Sequence, residues 1–326
     1  MDARRLGTAG PNVSVIGFGA WAIGSDWGRQ EDEASVGALH RALDLGVTFI
    51  DTALAYGDGK SERLIGQVLD ERGDRGRVTV ATKIPPLTRR WGPPPGTPIA
   101  EVYPPEHIVD SCEESLRNLA AERVDVLQFH TWLDEWNAAD EWYETMDRLR
   151  RAGKIAAIGI SVPDGHAAAA NGAIEQGRVD CVQVVYNILD QRARECVFPL
   201  ARRLGTGVIA RVPLASGALS GKFSEETRFA PDDWRAEWFT PDVLARLAAH
   251  VERIEAIVGG EAPFAHRALQ FALADDVVAT AIPGTRTPLQ AEENAAAAAL
   301  PPLAAAVLER LYAQGAMDPP PPASPG

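Results

Sequence analysis

The sequence has few cysteines, few lysines and no long apolar run. Its 326 residues include three cysteines, Cys112, Cys181 and Cys196. An odd number of widely spaced cysteines is typical of a reducing compartment and argues against a disulfide framework or a cysteine-ligated metal. No apolar stretch approaches the roughly 18–20 residues of a transmembrane helix, so the sequence predicts no association with a membrane.

Basic charge is also scarce. The chain has 45 acidic against 32 basic residues, a formal net charge of −13 and a pI near 5.0. Nucleic-acid-binding surfaces are usually basic, so this balance argues against a nucleic-acid partner. An anionic cofactor remains compatible, because it requires only a few local donors. The first residues lead into a glycine-punctuated strand pattern instead of a signal-peptide core, and we expect a cytoplasmic protein.

Apolar patterns typical of strands and of helices alternate along the chain. Strands are predicted at 15–19, 47–51, 77–83, 124–130, 156–161, 179–185, 207–211 and 277–282. Helices are predicted at 32–45, 61–71 and 106–119, and around residues 145, 168, 199, 268 and 293. Eight strands in strict alternation with eight helices predict a parallel sheet closed into a (β/α)8 TIM barrel. A doubly wound sheet is the alternative, although the segment 17–21 does not complete a G-x-G-x-x-G motif.

The remaining segments complete the predicted organisation. A short strand or hairpin segment precedes the barrel, and residues 1–313 form a single catalytic domain. Two long loops, 84–103 and 212–240, are expected to form walls over the C-terminal face of the barrel, because long loops in compact domains are usually functional. Residues 314–326 are rich in proline, and we expect a disordered tail there.

Polar residues follow the apolar strands at the end where (β/α)8 barrels collect their reactive groups. These strand-end residues are Asp51, Lys83, His130, Ser161, Gln183, Arg211 and Gly284. Taken singly, each one fits a turn residue, a core histidine or a solvated strand end. Their occurrence together at equivalent positions predicts one active site.

Four segments resemble the aldo-keto reductase family, in order and over residues from about 5 to 312. The segment 49–62 contains Asp51, a tyrosine five residues later (Tyr56), then glycines and Ser61-Glu62. The segments 81–83 and 127–130 resemble the lysine of the family's third strand and the histidine of its fourth, and the segment 282–294 resembles its adenosine-phosphate site. The resemblance implies an NADPH-dependent reductase of aldehydes, ketones or sugar-derived carbonyls. Its catalytic residues are then Asp51, Tyr56, Lys83 and His130.

The chemistry of carbonyl reduction is consistent with these four residues. The reaction needs a hydride at carbon and a proton at oxygen, and an unperturbed tyrosine, with a pKa of about 10, is a slow acid near neutrality. The ammonium of Lys83 favours the phenolate of Tyr56, and Asp51 holds that ammonium in place. His130 can orient the carbonyl and stabilise charge on its oxygen. This chemistry requires no metal.

A cofactor site is predicted at the last helix. Thr287 and Pro288 are typical of a helix start, with Thr287 as the cap and Pro288 as the first helical residue. The free N–H groups at such a helix start suit a phosphate. The guanidinium of Arg286 suits the additional phosphate of NADPH, so we expect NADPH as the cofactor, with NADH as the alternative. The loop 212–222 resembles the one that covers the pyrophosphate. The implied cofactor contacts are Ser161, Gln183, Arg211, Pro213, Leu214, Gly217, Leu219, Gly221, Lys222, Gly284, Thr285, Arg286, Gln290, Glu293 and Asn294.

Three positions depart from the family pattern. Val162 stands where an asparagine usually binds the carboxamide, Gln290 stands where many NADPH-specific members have arginine, and Arg211 replaces a ring-stacking aromatic residue. A planar guanidinium can itself stack on the nicotinamide.

The sequence does not determine the substrate or the direction of the reaction. Trp21, Trp91 and Trp132 are the candidate residues for the small-molecule carbonyl substrate. One alternative function is a regulatory subunit that binds the nucleotide with little turnover. Another is a related dehydrogenase or epimerase of a biosynthetic pathway.

Overall fold

The computed structural model describes residues 1–24, 30–230, 233–314, 316–317 and 320. Ten β-strands are formed within these ranges: β1 Ala3–Arg5, β2 Asn12–Ser14, β3 Phe18–Gly19, β4 Phe49–Asp51, β5 Thr79–Ile84, β6 Val124–Phe129, β7 Ile155–Ser161, β8 Cys181–Val185, β9 Gly207–Arg211 and β10 Val278–Ile282. The same ranges contain thirteen α-helices: α1 Asp32–Asp44, α2 Lys60–Arg72, α3 Ile99–Val102, α4 Pro105–Asn118, α5 Glu141–Arg151, α6 Asn171–Glu175, α7 Arg192–Cys196, α8 Phe198–Leu204, α9 Arg235–Trp238, α10 Pro241–Val258, α11 Phe264–Ala272, α12 Pro288–Ala296 and α13 Ala305–Gln314.

Strands β3 to β10 form one parallel sheet in sequence order. Parallel bridges from Ile16 to Ala281 and from Gly19 to Gly284 join its two edges. The backbone N–H of Gly17 donates to the carbonyl of Ala281 at 2.9 Å. The sheet is therefore closed, and the predicted (β/α)8 barrel is confirmed.

The helices show where the sequence prediction was incomplete. The predicted helices 32–45, 61–71 and 106–119 agree with α1, α2 and α4 to within one residue at each end. The prediction omitted α10, although Thr240 caps this helix through its side chain and Pro241 starts it. It also omitted α13, which packs against α10. None of the helices in the described ranges is long and apolar enough to cross a membrane.

The predicted tail begins at the end of α13, which includes Gln314. Met317 is buried, and its N–H donates to the carbonyl of Leu189 at 3.0 Å. Residues 315, 318–319 and 321–326 lie outside the described residues, so the prediction of disorder for them stays a prediction.

The N-terminal hairpin of β1 and β2 closes the lower end of the barrel. Leu6 and Val13 pack with a ring of apolar residues that β4 to β10 send into the barrel: Phe49, Ala81, Val126, Ala157, Cys181, Ile209 and Ala279. The guanidinium of Arg4 donates to the carbonyls of Leu273, Asp275 and Val278, which anchors the hairpin to the start of β10. Water is thereby excluded from the barrel axis at this end.

The next layer of the barrel interior is polar. Because side chains alternate along a strand, the residues two positions beyond the apolar ring also point inward. This layer contains Asp51, Lys83, Gln128 and Gln183, all buried. The strand β7 contributes Gly159, where an added Cβ would lie 2.7 Å from Cγ of Gln128. The missing side chain of Gly159 therefore gives Gln128 room to reach across the barrel.

Gly159→Ala is expected to lower the free energy of unfolding by about 1–3 kcal/mol, because the new methyl group overpacks a rigid interior. Chemical denaturation followed by circular dichroism measures this change. Gly92→Ala is the matched control, since an added Cβ at Gly92 meets no atom within 4 Å. Equal stabilities of the two variants would contradict the assignment of Gly159 as the space for Gln128.

Candidate active site

A deep cleft opens at the C-terminal end of the barrel and has a volume of about 1900 Å³. Ligand pockets in proteins commonly measure roughly 300–1,000 Å³. The cleft therefore has room for a large ligand together with a second, smaller one. Its walls include the ends of the barrel strands, the loop after β5 and the segment between β9 and α10.

Lys83 is the centre of the polar layer below the cleft. Its ammonium is fully buried and lies 2.6 Å from a carboxylate oxygen of Asp51. It also donates to the carbonyl of Thr52 at 2.8 Å and to the hydroxyl of Tyr56 at 3.4 Å. Burial lowers the pKa of Lys83, and the charge of Asp51 opposes that decrease. The ammonium therefore connects a buried carboxylate to the phenol that lines the cleft.

The second carboxylate oxygen of Asp51 is held by two amides. Gln183 donates to it at 2.6 Å, and Gln128 donates at 3.4 Å. A carboxylate taken out of water is stabilised only when hydrogen bonds and charge replace its solvent. The two glutamines and Lys83 together supply this replacement for Asp51.

Close packing of two backbone segments fixes the position of Tyr56. An added Cβ at Gly57 would lie 2.2 Å from the carbonyl oxygen of Gly24, and Gly57 has a φ of 59°, a region that favours glycine. An added Cβ at Gly24 would lie 2.7 Å from the carbonyl carbon of Tyr56. The loop after β3 therefore rests directly on the backbone that carries Tyr56.

The serine and glutamate that follow Tyr56 have structural contacts on the outer side of the barrel. Ser61 donates to the carbonyl of Ala20 and hydrogen bonds with the hydroxyl of Thr52. Glu62 is fully buried and accepts from Thr82 at 2.5 Å, next to Lys83 in the chain. Burial raises the pKa of Glu62, and the hydrogen bond from Thr82 opposes this rise. These contacts fix α2 against β3, β4 and β5.

His130 completes the group of residues around Tyr56. Its ring centre lies 5.5 Å from that of Tyr56 and 4.6 Å from that of Trp91, with the rings near-perpendicular in both pairs. Its Nδ1 atom has no hydrogen-bond partner among the described residues. Burial, followed by the positive charges of Lys83 and Arg211, lowers the pKa of His130 well below its usual value. The imidazole is consequently neutral near pH 7.

Three aromatic side chains form walls above Tyr56. The ring of Trp21 stacks on Tyr56 at 6.2 Å and on Trp234 at 6.0 Å, while Trp91 covers His130 from the other side. The prediction that Trp132 contacts substrate was wrong. Its ring is fully buried among core aromatic residues, away from the cleft, because the chain turns outward immediately after His130.

Arg211 lies at the end of β9 in the cleft wall. Its guanidinium forms an ion pair with Asp164 and donates to the carbonyl of Val162 at 3.1 Å. Both partners belong to the loop after β7. Sequence reasoning missed Asp164, although a carboxylate three residues beyond the strand-end Ser161 was a signal that could have identified it.

The predicted start of α12 is confirmed: Thr287 caps this helix through its side chain, and Pro288 is its first residue. The side-chain oxygen of Gln290 accepts from the backbone N–H of Arg286 at 2.8 Å. The backbone N–H of Gln290 donates to the hydroxyl of Thr287. The backbone N–H of Arg286, just before the cap, and that of Gln290, in the first turn, therefore already have acceptors within the protein. The guanidinium of Arg286 donates to Gln30 at 3.0 Å, and both Arg286 and Gln290 line the cleft.

Most of the predicted cofactor contacts line the cleft, but three do not. The lining includes Ser161, Gln183, Arg211, Pro213, Leu214, Gly217, Lys222, Gly284, Arg286, Gln290, Glu293 and Asn294. Leu219 is fully buried in the core, and Thr285 is buried while accepting from Asn294. Gly221 lies outside the residues that line the cleft. Leu219 and Gly221 lie in the turn after β9, and Thr285 follows β10. Their contacts with a cofactor stay predictions.

Comparisons with known proteins are consistent with this geometry. A family model described as the Aldo/keto reductase family matches residues 15–314. The chain is 34% identical to the aldo-keto reductase YhdN of Bacillus subtilis over 243 residues, which is 72% of this chain and 69% of that protein. It is 28% identical to an NADH-specific methylglyoxal reductase of Escherichia coli, over 90% of this chain and 92% of that protein. The structure of a glycerol dehydrogenase from Gluconobacter oxydans has a TM-score of 0.78 at 26% identity, covering 100% and 98% of the two chains.

The low pKa of His130 has a consequence for stability. Below pH 6.5 the unfolded chain protonates this histidine and the folded chain does not, so the free energy of unfolding decreases as the pH falls. Between pH 6.5 and 5.5 the wild type should lose up to about 1 kcal/mol more than His130→Gln. Urea denaturation of both proteins at several pH values measures the difference. Parallel curves would contradict a depressed pKa for His130.

Proposed function

Because the chain belongs to the aldo/keto reductase family, an NAD(P)H-dependent family of oxidoreductases, we propose that it transfers hydride between NADPH and a small aldehyde, ketone or sugar-derived carbonyl, with Tyr56 as the proton donor. The observation that carries this proposal is the hydrogen-bonded chain from Asp51 through Lys83 to the hydroxyl of Tyr56 at the floor of the cleft. The free cysteines support a cytoplasmic location, since reduced thiols persist in a reducing compartment.

The proton step relies on the fixed ammonium of Lys83. When Tyr56 gives its proton to the carbonyl oxygen, negative charge develops on the phenol oxygen. The ammonium of Lys83 lies 3.4 Å from that atom and is arranged before the reaction, so little reorganisation is required. Asp51 keeps the ammonium at this position. The residue that touches the substrate is then Tyr56, while Lys83 and Asp51 act through it.

His130 is proposed to position the carbonyl. A neutral imidazole donates one hydrogen bond without competing with Tyr56 as an acid, and the depressed pKa of His130 favours this state. Trp21 and Trp91 contribute apolar surface beside the two polar groups, which excludes water from the reacting oxygen. This combination suits a small carbonyl compound with an apolar or ring-shaped body.

The part of the cleft that is lined by the segment after β9 and by α12 is proposed to hold a nicotinamide dinucleotide. When bound there, NADPH supplies the hydride. Arg286 and Lys222 provide positive charge for its phosphates, and Glu293 and Asn294 lie on the face of α12 that lines the cleft. Arg286 supports NADPH over NADH, because a guanidinium fork suits a phosphomonoester. The NADH-specific relative makes NADH the alternative cofactor.

The names of two relatives favour alcohol oxidation as a second candidate function. The structurally similar protein from Gluconobacter oxydans is named a glycerol dehydrogenase, and a relative that is 26% identical is named a pyridoxal 4-dehydrogenase. In the oxidative direction Tyr56 would accept the proton that it donates during reduction. The same four residues would then serve an alcohol as substrate.

Tyr56→Phe should lower kcat for carbonyl reduction by about 10²–10⁴-fold, because only the proton donor is removed. The affinity for NADPH and the thermal stability should stay close to those of the wild type. Spectrophotometric assays with a panel of carbonyl substrates measure the loss. Tyr143→Phe on α5 is the matched control. Retention of more than about a tenth of wild-type kcat in Tyr56→Phe would rule out the assigned role.

Arg286→Ala should weaken NADPH binding by about 10- to 150-fold, because a charge-assisted hydrogen bond to the 2′-phosphate is lost. NADH lacks this phosphate and should bind almost as before. Fluorescence titration with both cofactors measures the two affinities. A parallel loss for NADH would show that Arg286 supports the loop structure instead of reading the phosphate.

A further inference from the structure

The loop after β5 carries positive charge at the cleft. Its residues 85–98 include two arginines, Arg89 and Arg90, and no acidic residue, in a chain whose formal net charge is −13. Both arginines line the cleft, and so does Trp91, the next residue of the loop. The ring centre of Trp91 lies 4.6 Å from that of His130. The two arginines therefore belong to the part of the cleft where the carbonyl is proposed to bind.

Hydrogen bonds hold this part of the loop on both sides of Arg90. The backbone N–H of Arg89 donates to the carbonyl of Pro86 at 2.9 Å. The carbonyl of Trp91 accepts from the hydroxyl of Thr131 at 2.9 Å. Arg89 has a φ of 56°, a region that favours glycine, and such strained conformations cluster at functional sites. The backbone that carries Arg90 is therefore fixed before a ligand binds.

The charges of the two arginines are balanced to different extents. Arg89 lies 3.1 Å from a carboxylate oxygen of Asp58, but the side chain of Asp58 is 88% exposed, so water weakens this ion pair. After burial and two larger charge effects, the charge of Arg89 still contributes to the low pKa of His130. Arg90 is exposed, and no described residue forms an ion pair or a hydrogen bond with its guanidinium. An unbalanced positive charge is thus left at this side of the cleft.

We propose that Arg90 binds a carboxylate of the substrate, so that the preferred substrates are aldehydes or ketones that carry a carboxylate group. The inference rests on the proposed function and names its substrate class. A guanidinium can donate two parallel hydrogen bonds to a carboxylate. One unbalanced positive charge matches the single negative charge of a carboxylate better than the nearly two charges of a phosphate monoester. The rings of Trp21 and Trp91 provide apolar surface for the body of the substrate between its carboxylate and its carbonyl.

Matched pairs of substrates isolate the effect of the carboxylate. 4-Carboxybenzaldehyde is compared with 4-formylbenzamide, and succinic semialdehyde with its amide, because an amide has almost the shape of a carboxylate and no charge. Spectrophotometric assays at saturating cofactor measure kcat and KM for the wild type, Arg90→Gln, Arg90→Lys and Arg310→Gln. Arg310 is the matched control, since it is exposed on α13 and does not line the cleft, and its substitution removes the same charge from the protein.

The wild type should have a kcat/KM about 10-fold higher for each carboxylate than for its amide, because a charge-assisted hydrogen bond forms only with the carboxylate. Arg90→Gln should lose this preference through a higher KM for the carboxylates, while its kcat for the amides should equal that of the wild type. Arg90→Lys should keep part of the preference, because it keeps the charge without the guanidinium fork. Arg310→Gln should keep all of it.

The outcomes that overturn the inference are distinct from those that overturn the proposed function. If the wild type reduces none of a wider panel of carbonyl compounds with NADPH or NADH, the proposed function is wrong and the inference falls with it. If the wild type reduces other carbonyl compounds but does not prefer the carboxylates to their amides, the inference alone is wrong. An unchanged preference in Arg90→Gln, or an equal loss in Arg310→Gln, also overturns the inference. A higher KM for NADPH in Arg90→Gln would place Arg90 at the cofactor and overturn it as well.

Discussion

The buried ion pair between Asp51 and Lys83 is the interaction on which the active site depends. Two charges taken out of water are costly unless their geometry is good and their remaining hydrogen-bonding groups are satisfied. Here the ammonium has Thr52 as a further acceptor, and the carboxylate has Gln128 and Gln183 as donors. The barrel interior provides these partners because every strand sends alternate side chains toward the axis.

This requirement extends to residues that never face the cleft. Below the pair, a continuous apolar layer and the N-terminal hairpin keep water out of the barrel axis. Outside it, Glu62 accepts from Thr82, which immediately precedes Lys83 on β5. The contact fixes the strand that carries the lysine against α2. The position of the ammonium is therefore held from both faces of the sheet.

Charge in the cleft differs from the charge of the whole chain. The protein has a formal net charge of −13, yet arginines from several strands, helices and loops line the cleft. Several of them are paired: Arg211 with Asp164, and Arg192 with Asp190. Local pairing lets an acidic protein offer oriented donors to an anionic ligand without a broad basic surface. The positions of these arginines and the directions of their N–H groups then select the ligand more than the net charge of the protein does.

Much of the fold and the centre of the site could be predicted from the sequence. The strands were visible as short apolar runs, and their strict alternation with helices leaves a closed parallel barrel as the natural solution. Strand ends of such a barrel meet at one face, which is why Asp51, Lys83 and His130 could be grouped without coordinates. Tyr56 followed from its spacing after Asp51 in a motif that resembles a known family.

Only the tertiary structure decided which residues that are distant in the sequence contact each other. Trp132 follows His130 by two residues, yet the chain turns there and buries its ring in the core, while Trp234 reaches the cleft from the distant segment after β9. Gln128 became part of the charged network only because Gly159 on the next strand leaves space for it. Local patterns determine the direction of a side chain within its own strand or helix. They do not determine which partner from another part of the chain occupies the space in front of it.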